Sequence, residues 1–304
     1  MLARGLVACL LIAASGALAQ ERLSVVASTT DLRSLVEAVG GARVAVASIA
    51  PAIIDAEDYV PKPQDVARLA NARLAVRVGL DYDLWFDRLL AQAGRADLMR
   101  GQAAYVDASF AIPVLEVRGA SIGPGDGHAH GNGNPHYWLD PKNAEIVTAN
   151  IVEALGRLDP AHAPEYERNR AAFLAALGRK LDGWQERLAA LHGRALVAYH
   201  SSWSYFARRF RLDIAGIIEP KPGVQPSPAH LAAMIRLMRE RNVGIVIRAP
   251  HEPERDAAFL AAKTGAAVVV LADSVGATER ATDYLALFDA DVDALAAAVR
   301  ADTR

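Results

Sequence analysis

The chain is poor in cysteine: its single cysteine, Cys9, lies near the start of the sequence. If the first residues are removed, the mature protein has no disulfides and no thiolates to offer a metal. Any metal site must then use imidazole and carboxylate side chains. An excess of one charge is also lacking, because 33 Lys and Arg residues against 35 Asp and Glu residues give a formal net charge of −2. We therefore expect neither nucleic acid nor an anionic membrane surface as a partner.

Long apolar runs are absent beyond residue 19, so we expect no direct membrane span in the mature protein. Residues 1–19 combine Arg4, a short apolar run and the ending Ala17-Leu18-Ala19, which is typical of a cleavable signal peptide. Cys9 stands at the front of the apolar run and not behind it, which argues against lipidation. These features predict a secreted, periplasmic protein that begins near Gln20.

Several enzyme motifs are missing. The sequence has no phosphate-binding Walker segment, no Gly-x-Ser-x-Gly elbow and no strand-linked Gly-x-Gly-x-x-Gly. His251-Glu252 could begin a zinc protease motif, but its second histidine would stand at position 255, which is Arg255. The chain cannot power transport itself, and the protease motif fails.

Short apolar or β-branched segments alternate with segments of helical periodicity, and this pattern occurs twice. It predicts an α/β fold with two Rossmann-like lobes, each built on a parallel sheet. The strands expected in the first lobe are 23–28, 44–50, 74–79 and, more weakly, 113–117. Those expected in the second lobe are 195–199, 214–218, 243–248 and 267–272. The expected helices are 30–39, 63–72, 202–209, 228–241 and 254–264.

Residues 163–192 separate the two sets and have apolar residues stepping by three or four, as one face of a helix does. The apolar positions are Phe173, Leu177, Leu181, Trp184, Leu188 and Leu191. A helix of about 28 residues makes a stiff rod of about 42 Å, so we expect lobes that move little relative to one another. The expected organisation is a signal peptide at 1–19, a first lobe at 20–160, a linking helix at 161–193 and a second lobe at 194–304.

Ligands of open α/β sheets collect beyond the carboxyl ends of the strands. His200 directly follows one expected strand and Asp273 another, while Asp55, Glu57 and Asp58 come shortly after a third. His136 precedes a helix that we expect to begin near Asp140. Each signal alone is typical of a helix cap or a buried hydrogen-bonded group. Together they suggest one metal held in the cleft between the lobes.

Four segments of the sequence resemble the zinc/manganese solute-binding proteins of bacterial ABC importers, the cluster A-I family. The most specific is Asn-Pro-His-Tyr-Trp-Leu-Asp-Pro at 134–141, which matches the family's NPHxWLDP segment. The others are Ala-Tyr-His-Ser-Ser-Trp-Ser-Tyr-Phe at 198–206, the Glu…Gly…Pro-Ser-Pro stretch at 219–228 and Asp-Ser-Val-Gly at 273–276. The resemblance covers nearly the whole mature chain.

The sequence departs from the family at its first ligand, because Glu57 stands where the family's DPHxYEPxPxD segment has a histidine. The resemblance therefore implies the metal ligands Glu57, His136, His200 and Asp273. Three interpretations of the first ligand position stay open: Glu57 binds the metal, the position is open, or Asp55 or Asp58 binds the metal instead.

The resemblance implies a non-enzymatic protein that delivers a divalent metal to an ABC importer permease with a separate ATPase, and we expect it to be a monomer. Two imidazoles and two carboxylates suit Zn²⁺ first, and Mn²⁺ or Fe²⁺ as alternatives, whereas calcium and magnesium do not suit two imidazoles. Binding should weaken as the pH drops through about 6, where histidine protonates. The competing hypotheses are a secreted metallohydrolase that uses the same residues, and a periplasmic metal chaperone or adhesion factor.

Other residues are expected to play lesser parts. His128 and His130 lie in a glycine-rich stretch and either feed zinc to the site or belong to a mobile polar loop. Glu219 is expected to support His200 or to close a contact between the lobes. Packing is the expected role of the tryptophans, namely Trp85, Trp138 and Trp203.

Overall fold

A computed structural model describes residues 22–117, 132–221 and 223–302. The first lobe has a four-stranded parallel sheet in the order β2-β1-β3-β4. Its strands are β1 (Leu23–Ala27), β2 (Val44–Ser48), β3 (Leu74–Arg77) and β4 (Tyr105–Asp107). Its helices are α1 (Thr30–Gly40), α2 (Pro63–Leu69), α3 (Leu84–Gln92) and α4 (Ala144–Leu158).

The linking helix is α5 (Ala163–Leu188), and a short 3-10 turn, Ala189–Leu191, follows it. Its 26 residues make a rod of about 39 Å. Leu177, Trp184 and Leu188 are buried along one stripe of this helix, as the spacing of the apolar residues predicted.

The second lobe repeats the sheet of the first, because its four parallel strands have the order β6-β5-β7-β8. The strands are β5 (Ala195–Ala198), β6 (Asp213–Ile217), β7 (Ile245–Arg248) and β8 (Ala267–Val270). The helices are α6 (Ser204–Phe210), α7 (Pro228–Glu240), α8 (Glu254–Thr264) and α9 (Tyr284–Asp302). The predicted fold class, two parallel α/β lobes joined by one long helix, is confirmed.

One expected strand is wrong. Residues 113–117 form no strand, and the fourth strand of the first sheet is β4, three residues long. Pro113 has no backbone N–H for a ladder, and Glu116 has a φ of 57°, outside the extended region. The backbone N–H of Leu115 donates instead to the hydroxyl of Tyr205 at 3.0 Å, so the segment packs against the other lobe.

The turn after β3 is fixed by a fully buried ion pair. The guanidinium of Arg77 lies 2.8 Å from the carboxylate of Asp83, and neither side chain is exposed. Asp83 also accepts the backbone N–H groups of Val78 and Gly79 at 2.6 and 3.0 Å. This turn places Tyr82, which packs beside the candidate site described below.

The two lobes share one hydrophobic core, which extends from β1 of the first lobe to Phe206 and Phe288 of the second. The guanidinium of Arg209 contacts both carboxylate oxygens of Asp140 across the interface, at 2.6 and 2.9 Å. The hydroxyl of Tyr284 donates to the backbone oxygen of Trp138 at 2.6 Å. A shared core and such hydrogen bonds restrict movement of one lobe against the other.

Candidate metal centre

Three of the four ligand-type side chains expected from the sequence converge where the two lobes meet. Glu57 lies between β2 and α2, His136 precedes α4, and His200 follows β5 by two residues. Each offers one ligand atom, and these three atoms lie within 4.8 Å of one another. Both histidines are buried, and Glu57 is half-buried. Two residues of the first lobe and one of the second therefore face a common point.

Asn134 orients the ring of His136. Its side-chain oxygen accepts the backbone N–H of His136 at 3.0 Å and lies 3.0 Å from ring Nδ1. Because an amide oxygen only accepts, Nδ1 carries the proton and Nε2 is the nitrogen that can bind a metal. The rings of Tyr82 and Trp138 pack against the imidazole, with centroids 5.4 and 5.2 Å away.

Glu219 orients the ring of His200. One carboxylate oxygen lies 2.6 Å from Nδ1 of His200, and the other accepts the backbone N–H of Gly223 at 2.8 Å. The expected support of His200 by Glu219 is confirmed, and Nε2 is again the nitrogen that can coordinate. Burial lowers the pKa of His200, but the hydrogen bond to Glu219 and the charge of Asp55 outweigh it and raise the pKa to about 9. A metal must therefore displace a proton at neutral pH.

The loop that carries Glu57 is fastened on both sides of that residue. Nε1 of Trp85 donates to the backbone oxygen of Ala56 at 2.7 Å. The hydroxyl of Tyr59 donates to the buried carboxylate of Asp65 at 2.6 Å. These hydrogen bonds fix the backbone from which Glu57 points to the histidines.

The two other acids of this loop have different surroundings. Asp58 is exposed to solvent, whereas Asp55 is half-buried. The carboxylate of Asp55 accepts the backbone N–H of Glu57 at 2.9 Å and the hydroxyl of Tyr82 at 3.3 Å. Of the three acids, Glu57 is the one that the structure brings together with His136 and His200.

Asp273 borders the site from the second lobe but is outside the group of three. Its carboxylate lies 3.6 Å from Nδ1 of His251. Burial, and then the negative charge of Asp55, raise its pKa to about 7. Its backbone oxygen accepts a hydrogen bond from Nε1 of Trp138 at 2.9 Å, which ties this rim to the first lobe.

Three ionisable groups that the sequence analysis did not assign to the metal centre lie beside it. His251 comes three residues after β7, so the same strand-end rule would have found it. Glu252 is buried, which raises its pKa to about 8, and it accepts the backbone N–H of Ala249 at 2.5 Å. Burial also raises the pKa of Asp31 to about 7, although it accepts the backbone N–H of Val275 at 2.9 Å. A site surrounded by buried acids favours a cation.

The donors at this edge are imidazole nitrogens and carboxylate oxygens. Such a mixture suits a divalent transition metal, since imidazole binds zinc, iron and copper well and carboxylate oxygen also binds manganese. The hydrogen bonds of Asn134 and Glu219 set the orientation of both rings in advance, as the hydrogen-bond partners of metal-binding histidines commonly do.

Some expectations fall outside the described residues. These are the signal peptide at 1–19 and the possible feeder histidines, His128 and His130. Within the described ranges, every helix is too short or too polar to cross a membrane. Trp85, Trp138 and Trp203 are all buried, which confirms their packing role.

The chain is similar to known metal-binding proteins along most of its length. Residues 25–298 match the family model for ZnuA, described as zinc-uptake complex component A, periplasmic. The iron-binding protein YfeA of Yersinia pestis is 27% identical, over 91% of this chain and 86% of that protein. The metal ABC transporter substrate-binding lipoprotein SloC of Streptococcus mutans is 24% identical, over 96% and 94%. A zinc-bound crystal structure of a ZnuA deletion mutant is 29% identical, covers 91% of this chain and 98% of that chain, and has a TM-score of 0.77.

Two α/β lobes on a long helix, with imidazoles and carboxylates gathered where the lobes meet, define a metal-binding solute-binding protein. The chain belongs to the ZnuA family of metal ABC transporter substrate-binding proteins. This family consists of substrate-binding proteins and not of enzymes.

Proposed function

We propose that this protein captures Zn²⁺ in the periplasm and delivers it, as a monomer, to an ABC importer whose permease and ATPase are separate chains. The proposed ligands are Glu57, His136, His200 and Asp273. Residues 1–19 act as the cleaved signal peptide.

The convergence of Glu57, His136 and His200 within 4.8 Å carries this proposal. Three ligand-type atoms from distant parts of the chain come together at one point, and hydrogen bonds behind them hold both rings with Nε2 as the coordinating nitrogen. Asp273 borders the site from the second lobe, where the charges of His200 and Asp55 reach it, and it completes the proposed set.

Zinc is preferred over manganese and iron because two of the four donors are imidazoles, and because the affinity order of such sites places zinc above both. Glu57 supplies a carboxylate oxygen, which is a harder donor than an imidazole nitrogen, and this reduces the preference for zinc over manganese and iron. Relatives whose names specify iron, such as YfeA, mark ferrous iron as the main competitor for the site.

The first test is the metal content and affinity of the mature protein purified without added metal. We expect stoichiometric zinc by elemental analysis, and saturating zinc at 100 times its dissociation constant should stabilise the protein by about 2.7 kcal/mol. His200→Ala should lose at least about 100-fold in zinc affinity, because it removes a ligand and not merely a supporting residue. His192→Ala changes an exposed histidine away from the site and serves as the matched control.

Stoichiometric manganese or iron in the purified protein would reverse the choice of ion. Equal zinc affinity in wild type and His200→Ala would refute the proposed site. For delivery, a strain that lacks the chain should lose zinc uptake, and a copy carrying His200→Ala should fail to restore it, whereas His192→Ala restores it.

A further inference from the structure

Two ligand-type side chains at the rim of the second lobe face each other without a hydrogen bond. His251 follows β7 and Asp273 follows β8, and these strands are parallel neighbours, so their carboxyl ends lie side by side. Nδ1 of His251 is 3.6 Å from Oδ2 of Asp273, which is too long for a hydrogen bond.

Both groups also have buried polar atoms that nothing else satisfies. Nδ1 of His251 and Oδ1 of Asp273 are shielded from solvent, and neither has a hydrogen-bond partner among the residues that the structure describes. A buried polar atom without a partner costs about 1–3 kcal/mol, so each such atom in a folded protein needs an explanation. A cation bound between them would satisfy both atoms.

The separation of the pair fits two ligands of one ion. Zinc binds imidazole nitrogen and carboxylate oxygen at about 2.1 Å, which places neighbouring ligands of one four- or five-coordinate ion about 3.0 to 3.6 Å apart. The observed 3.6 Å between His251 and Asp273 lies at the upper end of that range.

This pair borders the same site as the other ligands. The charge of His200 acts on both His251 and Asp273, and so does the charge of Asp55. Tyr82, which packs on His136, is also within reach of the charge on Asp273. The pair therefore borders the cleft beside His200 of the same lobe, and it faces Glu57 and His136 of the first lobe.

We propose that His251 is a metal ligand of this centre, supplying from the second lobe the third imidazole that Glu57 does not supply from the first. This inference rests on the proposed function, since it concerns the same ion. It makes His251 a determinant of metal choice: a third imidazole offsets the hardness of Glu57 and keeps the site selective for zinc over manganese.

Zinc coordination can be counted at each ring by NMR on mature protein labelled with ¹⁵N-histidine. In the wild type we expect three coordinated rings, those of His136, His200 and His251, the last through Nδ1. His251→Ala should show two coordinated rings and bind zinc at least 100-fold more weakly in competition with a chelator. That loss exceeds the range of about 10–100-fold that removal of a merely supporting residue causes.

His192→Ala is the matched control and should keep three coordinated rings. Glu57→His combined with His251→Ala should regain zinc affinity, because it returns an imidazole to the first lobe. Thermal melting of each metal-free variant checks that it folds.

The two hypotheses fail in different ways. Wild-type protein that binds no zinc would refute the proposed function. Zinc binding that depends on His200 but shows an uncoordinated His251 ring in the wild type would overturn the present inference alone. The inference would also be overturned if the wild type showed two coordinated rings and His251→Ala lost less than 100-fold in zinc affinity. That result would assign His251 a positioning role.

Discussion

The hydrogen bond between Glu219 and His200 predicts how metal binding depends on pH. With a pKa of about 9, His200 is protonated at pH 7 in the metal-free protein, and the ion must displace that proton. Two pH units below the pKa, this competition lowers the apparent affinity about 100-fold, or by about 2.7 kcal/mol. Zinc affinity should therefore rise about tenfold per pH unit from 7 to 9 and then level off. The ordinary pKa of histidine would place this change near pH 6 instead.

The matching substitution is Glu219→Gln. It removes the carboxylate that contributes most to raising the pKa of His200, while the burial that lowers this pKa and the charge of Asp55 that raises it both remain. The affinity should therefore level off at a lower pH than in the wild type. At pH 9 the variant should bind zinc about 10–100-fold more weakly than the wild type, because the ring loses its orienting partner. Glu186→Gln, an exposed change on α5, is the control. The assay is competition with a chelator between pH 6 and pH 10.

The unfolding free energy of the metal-free protein gives a second measurement of the hydrogen bond between His200 and Glu219. The pKa of His200 is raised on folding from 6.5 to about 9, so the protonated ring stabilises the fold fully below pH 6.5. That contribution, about 3 kcal/mol, is lost as the pH rises through 9. Denaturant unfolding of the wild type should follow this trend, and Glu219→Gln should lose most of it. Zinc affinity that is flat from pH 7 to 9, or equally steep in Glu219→Gln, would refute the reasoning.

Two further predictions concern the frame of the site. Gly79→Ala should destabilise the protein by at least about 2 kcal/mol more than Gly94→Ala, as measured by denaturant unfolding. Both glycines have a positive φ, but only at Gly79 would an added Cβ clash with a carboxylate, because it would lie 2.1 Å from an oxygen of Asp107. Similar losses in both variants would contradict the steric argument. Arg209→Ala should lower the unfolding free energy by about 3 kcal/mol, because the fully buried Asp140 loses the guanidinium that contacts both of its carboxylate oxygens. Arg236 is exposed, so Arg236→Ala should change the unfolding free energy by less than about 0.5 kcal/mol. Equal stability of the two arginine variants would show that the interface pair contributes nothing.

Most of the fold was predictable because its strands are short, apolar and separated by segments of helical spacing. The fourth strand was not, since Tyr105–Asp107 has only three residues, and one β-branched residue among them gives no periodicity. Helix α9 could have been predicted: its buried residues Tyr284, Leu287, Phe288, Val292 and Leu295 step by one, three or four.

The positions at strand ends and helix starts, together with the family resemblance, predicted Glu57, His136, His200 and Asp273 as neighbours of one cleft, but neither argument carries distances. That three of them lie within 4.8 Å while Asp273 pairs with His251 depends on loop conformations. His251 was considered only as part of a protease motif, and the failure of that motif removed it from the candidates, although its position after β7 satisfies the same rule.

The shared core limits how an ion can enter and leave under the proposed function. A hinge movement of the lobes would break the hydrogen bonds of Trp138 with Asp273 and of Arg209 with Asp140. It would also expose part of the shared hydrophobic core, so its free-energy cost is far higher than that of a loop movement. The loop that carries Glu57 is different, because Ile53 and Val60 on it are 69% and 77% exposed and pack against little. Under the proposed function we therefore expect the ion to exchange by local displacement of this loop, which requires only the hydrogen bonds of Ala56 and Tyr59 to break while the rim stays in place.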